Sequence, residues 1–122
     1  MSLVPSEIAD ELVAYTEQLR SAQKRIYAAP WSDWPDGYTS CHGYPVVYAL
    51  WSSAVEETPL YVGHTTDLGK RLYTHFKSSG WTRKPKHVSF LESERFESAG
   101  YRTLVERFLI VTLVPSDNDQ SR

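Results

Sequence analysis

Hydrophobic residues in the first part of the chain recur at alternating steps of four and three. Between Pro5 and about Tyr27 they are Ile8, Leu12, Tyr15, Leu19, Ala22 and Ile26. This spacing places them on one face of a helix, with charged and polar side chains around the remainder. We therefore predict an amphipathic helix that ends at Ala29-Pro30 and that either packs on the domain or contacts a partner.

Three short runs of apolar, β-branched and aromatic residues predict strands. Val46 to Trp51 is apolar at every position, which is typical of a strand that is covered on both faces in the middle of a sheet. A polar turn separates it from a second run that begins at Leu60 and reaches Gly63. The third run is His87 to Leu91. The first two runs are close enough along the chain to form a hairpin.

A second helix is predicted directly after the second strand. Asp67 can act as its N-cap, and the helical pattern continues to about Lys77. Its buried stripe comprises Leu68, Leu72 and Phe76. Arg71 and His75 are four residues apart, so they lie together along one edge of this helix and can point at a single site.

A third helix is predicted to begin at Ser98 and to end before Pro115. Its core face is expected to comprise Tyr101, Leu104, Phe108 and Val111. Glu106 would then lie on the other side of the helix. On position alone, this glutamate could simply form an exposed ion pair with Arg102, four residues before it.

Composition indicates one globular domain. The chain has 122 residues and a single cysteine, Cys41, so an intrachain disulfide is impossible and a reducing compartment is expected. The N-terminus has neither a basic start nor a continuous apolar run. We therefore expect no signal peptide and no membrane association, and a cytoplasmic location.

Charge is distributed unevenly along the chain, although the formal net charge is only −2. No acidic residue interrupts the segment from Leu68 to Leu91, whose basic residues are Lys70, Arg71, Lys77, Arg83, Lys84 and Lys86. A basic face on an acidic body fits a nucleic-acid phosphate backbone. The alternative is an ordinary solvated helix and loop.

The order of five short elements resembles the GIY-YIG nuclease family. Its two defining tripeptides correspond to Val46-Val47-Tyr48 and Tyr61-Val62-Gly63. The family's arginine on the next helix, its glutamate on a later helix and its asparagine beyond that helix correspond to Arg71, Glu106 and Asn118. The first tripeptide has valines where the family most often has Gly and Ile, but its tyrosine is kept.

The resemblance implies an α/β fold of the α+β type, with a three-stranded, mostly antiparallel sheet flanked by helices. The N-terminal amphipathic helix is an addition to this pattern. Residues 1–43 would form that helix and an aromatic loop, both packing on the core. Residues 44–118 would form the nuclease-like domain, and residues 119–122 a polar tail.

The resemblance also implies a DNA endonuclease that depends on Mg²⁺ or Mn²⁺ and hydrolyses phosphodiester bonds by in-line attack of an activated water. Glu106 would bind the metal, and Arg71 would stabilise the charge that develops on phosphate. Tyr48 would act as general base, with Tyr61 orienting the nucleophile, although the sequence does not separate these two roles. His75 could orient water, carry a proton or contact phosphate; alternatively it is a core-edge histidine.

Further residues are candidates for substrate binding: His64, Lys70, Arg83, Lys84, Lys86 and Asn118. Asn118 would hold either Glu106 or a DNA phosphate; alternatively it is an ordinary loop residue. By analogy with the family, the products carry 5′-phosphate and 3′-hydroxyl ends. The DNA target cannot be read from the sequence.

Two other functions compete with the enzyme. The first is a module of the same fold that grips nucleic acid without cutting it. The second is an interaction protein that recruits a partner through its N-terminal helix, which could also form a homodimer.

Overall fold

The computed structural model describes residues 6–22, 24–26, 42–77, 80–81 and 83–118. Its elements are α1 (Ser6–Ser21), β1 (Arg25–Ile26), β2 (His42–Trp51), β3 (Tyr61–Asp67), α2 (Leu68–Lys77), β4 (His87–Glu92), a 3₁₀ helix (Glu94–Glu97) and α3 (Ala99–Leu113). Most of the predicted aromatic loop and the whole predicted tail lie outside the described residues. Within the described part of the chain, no helix is long and apolar enough to cross a bilayer.

The strands form one sheet in the order β1-β4-β2-β3, and every neighbouring pair is antiparallel. The predicted three-stranded sheet is therefore confirmed, and the two-residue strand β1 extends it at one edge. Strand β2 lies between β4 and β3, and its residues from Val46 to Trp51 are fully buried. The apolar residue at every position from Val46 to Trp51 fits this place, because helices cover both faces of the sheet.

The two faces of the sheet have separate cores. On one face, α1, α3 and the 3₁₀ helix pack against the inward residues of the strands, with Trp51 and Phe96 among the largest buried side chains. On the other face, Leu68 and Leu72 of α2 pack against the alternate residues, including Tyr48 and Tyr61. Because strand side chains alternate in direction, consecutive residues of β2 and β3 belong to different cores.

Helix α1 is shorter than predicted. It ends at Ser21, and Arg25–Ile26 pairs with β4 instead of continuing the helix to Tyr27. Ile26 has the spacing of the helix, but its backbone pairs with β4, and this long-range pairing decides the structure of the segment. The apolar face of α1 packs on α3 and β4, so the alternative in which this helix packs on the domain is the one that the fold shows.

The end of α1 is tied to the sheet through a buried chain of hydrogen bonds. Trp51 Nε1 donates to Ser89 Oγ at 3.0 Å, and Ser89 Oγ donates to the carbonyl of Leu19 at 3.0 Å. Since both polar side chains are buried, these bonds satisfy groups that would otherwise be costly to remove from water.

The cap predicted at Asp67 and the helix start predicted at Ser98 are confirmed. Lys70 N donates to Asp67 Oδ1 at 3.1 Å, so α2 begins directly after β3, and Ser98 accepts from Tyr101 N at the start of α3. Helix α2 ends at Lys77, and Gly80 beyond it has a φ of 87°, a conformation that glycine adopts without strain.

The predicted core face of α3 is right in part. The buried residues of this helix are Arg102, Val105, Leu109 and Leu113. Of the four predicted residues, Tyr101 and Phe108 are partly buried and pack against the core, whereas Leu104 and Val111 are exposed. Hydrophobic residues occur around most of this helix, so periodicity alone did not choose the face. Glu106 follows the buried Val105 and therefore lies beside the buried face of α3.

Candidate active site

Tyr48 lies in the middle of β2 and points into the core on the α2 side of the sheet. It is fully buried, and its hydroxyl lies 2.7 Å from His75 Nε2. Burial raises the pKa of Tyr48 well above its ordinary value, and Tyr61 adds to this rise while Arg71 opposes it. The side chain is therefore a neutral phenol with a defined hydrogen-bond partner.

Gly63 pairs with Tyr48 across the ladder between β2 and β3. A Cβ atom at residue 63 would lie 2.8 Å from Tyr48 Oη and 2.8 Å from Tyr61 Cε2. Such contacts are too short for a side chain, so the glycine is required by the close approach of both phenol rings.

Arg71 joins the two tyrosines. It lies one turn into α2, where the cap at Asp67 fixes the start of the helix, and its guanidinium is hydrogen-bonded to Tyr48 and Tyr61. Burial acts to lower the pKa of Arg71, but the two tyrosines outweigh it and raise that pKa. A half-buried cation with five donors is thus held against both phenols.

His75 is fully buried, whereas the sequence predicted it at the edge of α2. Its ring contacts the Tyr61 ring edge to face, with 4.7 Å between the ring centroids. Its Nε2 is hydrogen-bonded to the Tyr48 hydroxyl. Trp81 packs over the same rings and donates from Nε1 to the carbonyl of His75 at 3.3 Å. Aromatic rings therefore fix the orientation of the imidazole.

Glu106 approaches from α3, in the layer on the opposite face of the sheet. Its carboxylate is partly buried, and burial raises its pKa while Arg107 and Arg71 oppose the rise. Glu106 also acts electrostatically on Tyr48. The structure therefore brings Tyr48, Tyr61, Arg71 and His75 into direct contact. Glu106, the fifth residue predicted as catalytic, acts on Tyr48 and Arg71 electrostatically.

His64 follows Gly63 on β3 and faces α3 instead of the pocket of the two tyrosines. Its Nδ1 accepts from Arg102 Nε at 3.1 Å, and its Nε2 lies 3.7 Å from Glu106 Oε1. Position alone suggested an exposed ion pair between Arg102 and Glu106. Arg102 instead donates hydrogen bonds to His64 and to the carbonyl of Phe96.

Arg102 is the residue of this neighbourhood that sequence reasoning missed. It is only 8% exposed, although its position on a helix surface four residues before a glutamate suggested a solvated side chain. The sequence did contain a signal for this burial. Arg102 lies three residues before Val105, which lies four before Leu109, so all three residues share one face of the helix.

Asn118, for which contact with Glu106, contact with a DNA phosphate and an ordinary loop position were all considered, bonds to a backbone segment through its side chain. Its Oδ1 accepts from Val62 N at 2.7 Å, and its Nδ2 donates to Val62 O at 2.8 Å. The amide is therefore engaged by the backbone of β3 and not by Glu106. It fixes the strand that carries Tyr61 and Gly63 at the edge of the sheet.

The predicted basic residues lie around two separate depressions. Lys70 and Arg71 line one of about 400 Å³, together with Thr65, Thr66, Asp67 and Thr74. Arg83, Lys84 and Lys86 line another of about 370 Å³, together with Ser52, Ser53 and Glu56. Lys70, Arg83, Lys84 and Lys86 are all exposed.

Metal binding would depend on one carboxylate. Among the described residues, no group of three or more His, Cys, Asp or Glu side chains could enclose a metal ion. Glu106 offers oxygen ligands in a partly buried position. This donor set fits a hard cation that keeps several waters and uses substrate oxygens, which is how Mg²⁺ binds beside phosphates.

Comparison with known proteins gives one match. The family model described as the GIY-YIG catalytic domain matches residues 44–118, which is more than half of the chain and includes all the residues of the site above. No curated protein and no solved structure matches the chain.

Proposed function

The chain belongs to the GIY-YIG nuclease family, and on that premise we propose that it is a Mg²⁺-dependent DNA endonuclease. Its domain supports a nuclease-type function in general; the metal, the substrate and the roles of individual residues are the proposal. The observation that carries it is the arginine of α2 hydrogen-bonded to two tyrosines, with a partly buried carboxylate acting on the same groups.

Tyr48 accepts the proton of the attacking water and passes its own proton to His75. A phenol that is neutral at pH 7 cannot take up a proton unless it gives one away in the same step. The 2.7 Å contact between Tyr48 Oη and His75 Nε2 provides the acceptor. Arg71 can only donate, so its bond to Tyr48 leaves the phenol proton directed towards the imidazole.

Arg71 binds the scissile phosphate and stabilises the charge that builds on its oxygens. Its guanidinium keeps its charge at any physiological pH, and its fork matches two phosphate oxygens. The two tyrosines hold it in place before substrate arrives, so little orientation is lost on binding. Tyr61 shares this arginine and orients the nucleophile beside it.

Glu106 would hold the metal ion. Burial makes its negative charge unfavourable, which a divalent cation relieves on binding. When bound, Mg²⁺ supplies positive charge at the phosphate and makes bound water easier to deprotonate. Mn²⁺ prefers the same oxygen ligands and is expected to substitute for it.

DNA would lie over Arg71 and along the exposed basic residues of the two depressions. Lys70 lines the same depression as Arg71, and Arg83, Lys84 and Lys86 line the other one. These basic residues would contact phosphates and not bases, so they support affinity for DNA rather than sequence specificity.

Plasmid nicking tests the proposal. Wild-type protein is compared with Arg71→Ala and Glu106→Gln, with Mg²⁺ and with EDTA. Cleavage is expected only with metal, and both variants should lose about 10³-fold or more in rate. Arg95→Ala and Glu97→Gln are matched controls, because both residues are exposed on the 3₁₀ helix, and they should cleave as wild type does.

Equal cleavage by all variants, or cleavage that persists in EDTA, would contradict the assignment. A single-stranded and a duplex RNA of matched sequence test the choice of DNA, and equal cleavage of RNA would contradict it. Salt-sensitive binding to DNA without cleavage under any divalent metal would select the non-cleaving module instead.

A further inference from the structure

The imidazole of His64 lies between a buried cation and the carboxylate of the site. Arg102 Nε is 3.1 Å from its Nδ1, and Glu106 Oε1 is 3.7 Å from its Nε2. Thr103 Oγ1 is also 3.5 Å from Nε2. His64 belongs to β3, while the other three residues belong to α3, so this contact joins the helix to the sheet edge.

The partners determine which ring nitrogen carries the proton. Arg102 has only donors, so Nδ1 must be the acceptor. The hydroxyl of Thr103 donates to the carbonyl of Ala99 at 2.9 Å, which leaves its oxygen as an acceptor facing Nε2. An ionised Glu106 is also an acceptor. All three partners therefore require the neutral tautomer with hydrogen on Nε2.

The bond from Arg102 also requires a neutral ring. A protonated imidazole carries hydrogen on both nitrogens, so its Nδ1 could not accept from Arg102. A neutral imidazole in this orientation has its lone pair towards the arginine and its N–H towards the carboxylate. Its dipole is therefore aligned between the two charges.

We propose that Arg102 and His64 are positioning residues for Glu106, and that Arg102 fixes the Nε2–H tautomer of His64, which orients the carboxylate towards the site. A direct contact between Arg102 and Glu106 would occupy the carboxylate oxygens. The interposed imidazole orients one oxygen and leaves the carboxylate able to bind a cation. This role replaces the phosphate contact predicted for His64, and it rests on Glu106 being the carboxylate of the proposed nuclease.

NMR tests the tautomer directly in metal-free protein. A long-range ¹H–¹⁵N correlation spectrum separates the two neutral tautomers of a histidine. In the wild type, His64 should be protonated on Nε2 alone. A wild-type His64 protonated on Nδ1 would leave Arg102 facing a second donor and would overturn the proposal.

Cleavage kinetics test the consequence. His64→Leu and Arg102→Met should lower kcat by roughly 10- to 100-fold, as expected for residues that orient a metal ligand, with KM little changed. His64→Gln should restore most of kcat, because its amide can accept from Arg102 and donate to Glu106. His87→Leu and Arg95→Met are matched controls remote from Glu106 and should not change kcat.

A contact between His64 and phosphate would give a different pattern. His64→Leu would then raise KM, and the salt dependence of binding would lose about one unit of slope. That result would overturn the positioning role.

If the wild type fails to cleave DNA, the proposed function fails, whereas the tautomer measurement still decides the inference. If His64→Leu does not fold, His64→Gln and Arg102→Lys should keep the Nε2–H contact or its equivalent, and loss of kcat in both would contradict it.

Discussion

Gly63→Ala should both destabilise the protein and impair cleavage. The new Cβ would lie 2.8 Å from Tyr48 Oη, 2.8 Å from Tyr61 Cε2 and 3.0 Å from Tyr48 Cζ. Neither ring can move freely, because His75 and Arg71 hold the Tyr48 hydroxyl and both rings are packed in the core. The methyl group therefore displaces the proposed general base or the strand itself.

The size of the effect follows from the geometry. To reach 3.4 Å, the shortest ordinary contact, the Tyr48 hydroxyl must move by about 0.6 Å. Overpacking of this kind costs roughly 1–3 kcal/mol in the free energy of unfolding. Since a misplacement of about 1 Å can cost ~10²-fold in rate, we expect cleavage to fall by about 10- to 100-fold.

Urea denaturation and plasmid cleavage measure the two effects, and Gly100→Ala is the matched control. The Cβ at residue 100 would meet only Ser98 Oγ, at 3.8 Å, and alanine favours the helix by about 0.5 kcal/mol or more. Gly100→Ala should therefore be slightly stabilised and fully active.

An unfolding free energy for Gly63→Ala within about 0.5 kcal/mol of the wild type, with full activity, would refute the reasoning. It would mean that the phenol of Tyr48 does not lie against the backbone of β3.

Three further predictions concern the groups around this pair of rings. Tyr48→Phe keeps the ring but removes the hydroxyl bonded to His75, so cleavage should fall by roughly 10²–10⁴-fold while circular dichroism still reports a folded protein. Asn118→Ala removes both hydrogen bonds to the backbone of Val62 and should lower the unfolding free energy by about 1–3 kcal/mol, with KM for DNA unchanged. A raised KM at unchanged stability would instead indicate that Asn118 contacts the substrate. Glu106→Gln, measured in EDTA, should stabilise the protein at pH 7, because the raised pKa of Glu106 makes its ionised form unfavourable in the folded state. As pH falls through the raised folded pKa towards the ordinary value of 4.5, the wild type regains this stability and the difference should disappear; a difference that grows towards acid pH would contradict it.

The sequence predicted the positions that depend on local chemistry. Asp67 and Ser98 are short polar residues before apolar periodic segments. Asp67 caps its helix as expected, and Ser98 stands at the expected start of α3. The apolar run from Val46 to Trp51 predicted a central strand because few other environments accept six consecutive apolar residues. The spacing of Arg71 and His75 placed both on the same part of α2.

Positions that depend on packing between distant elements were not predictable in the same way. Helix α3 is apolar around most of its circumference, so only contact with α1 and the sheet decides that Arg102 is buried and Leu104 is exposed. The burial of His75 depends on Trp81 and Tyr61, which come from other segments. The bonds of Asn118 join residues 56 apart in the chain, beyond the reach of any local pattern.

The segment after α3 has a consequence for solubility. Strand β3 is at the rim of the sheet, and such strands offer free backbone groups on which other chains can add. Here Asp117 N donates to Leu60 O at 2.8 Å, and Asn118 occupies both backbone groups of Val62. This short turn therefore covers the part of the sheet edge beside the proposed active site. A chain that stopped at Leu113 would expose these backbone groups as a template for aggregation.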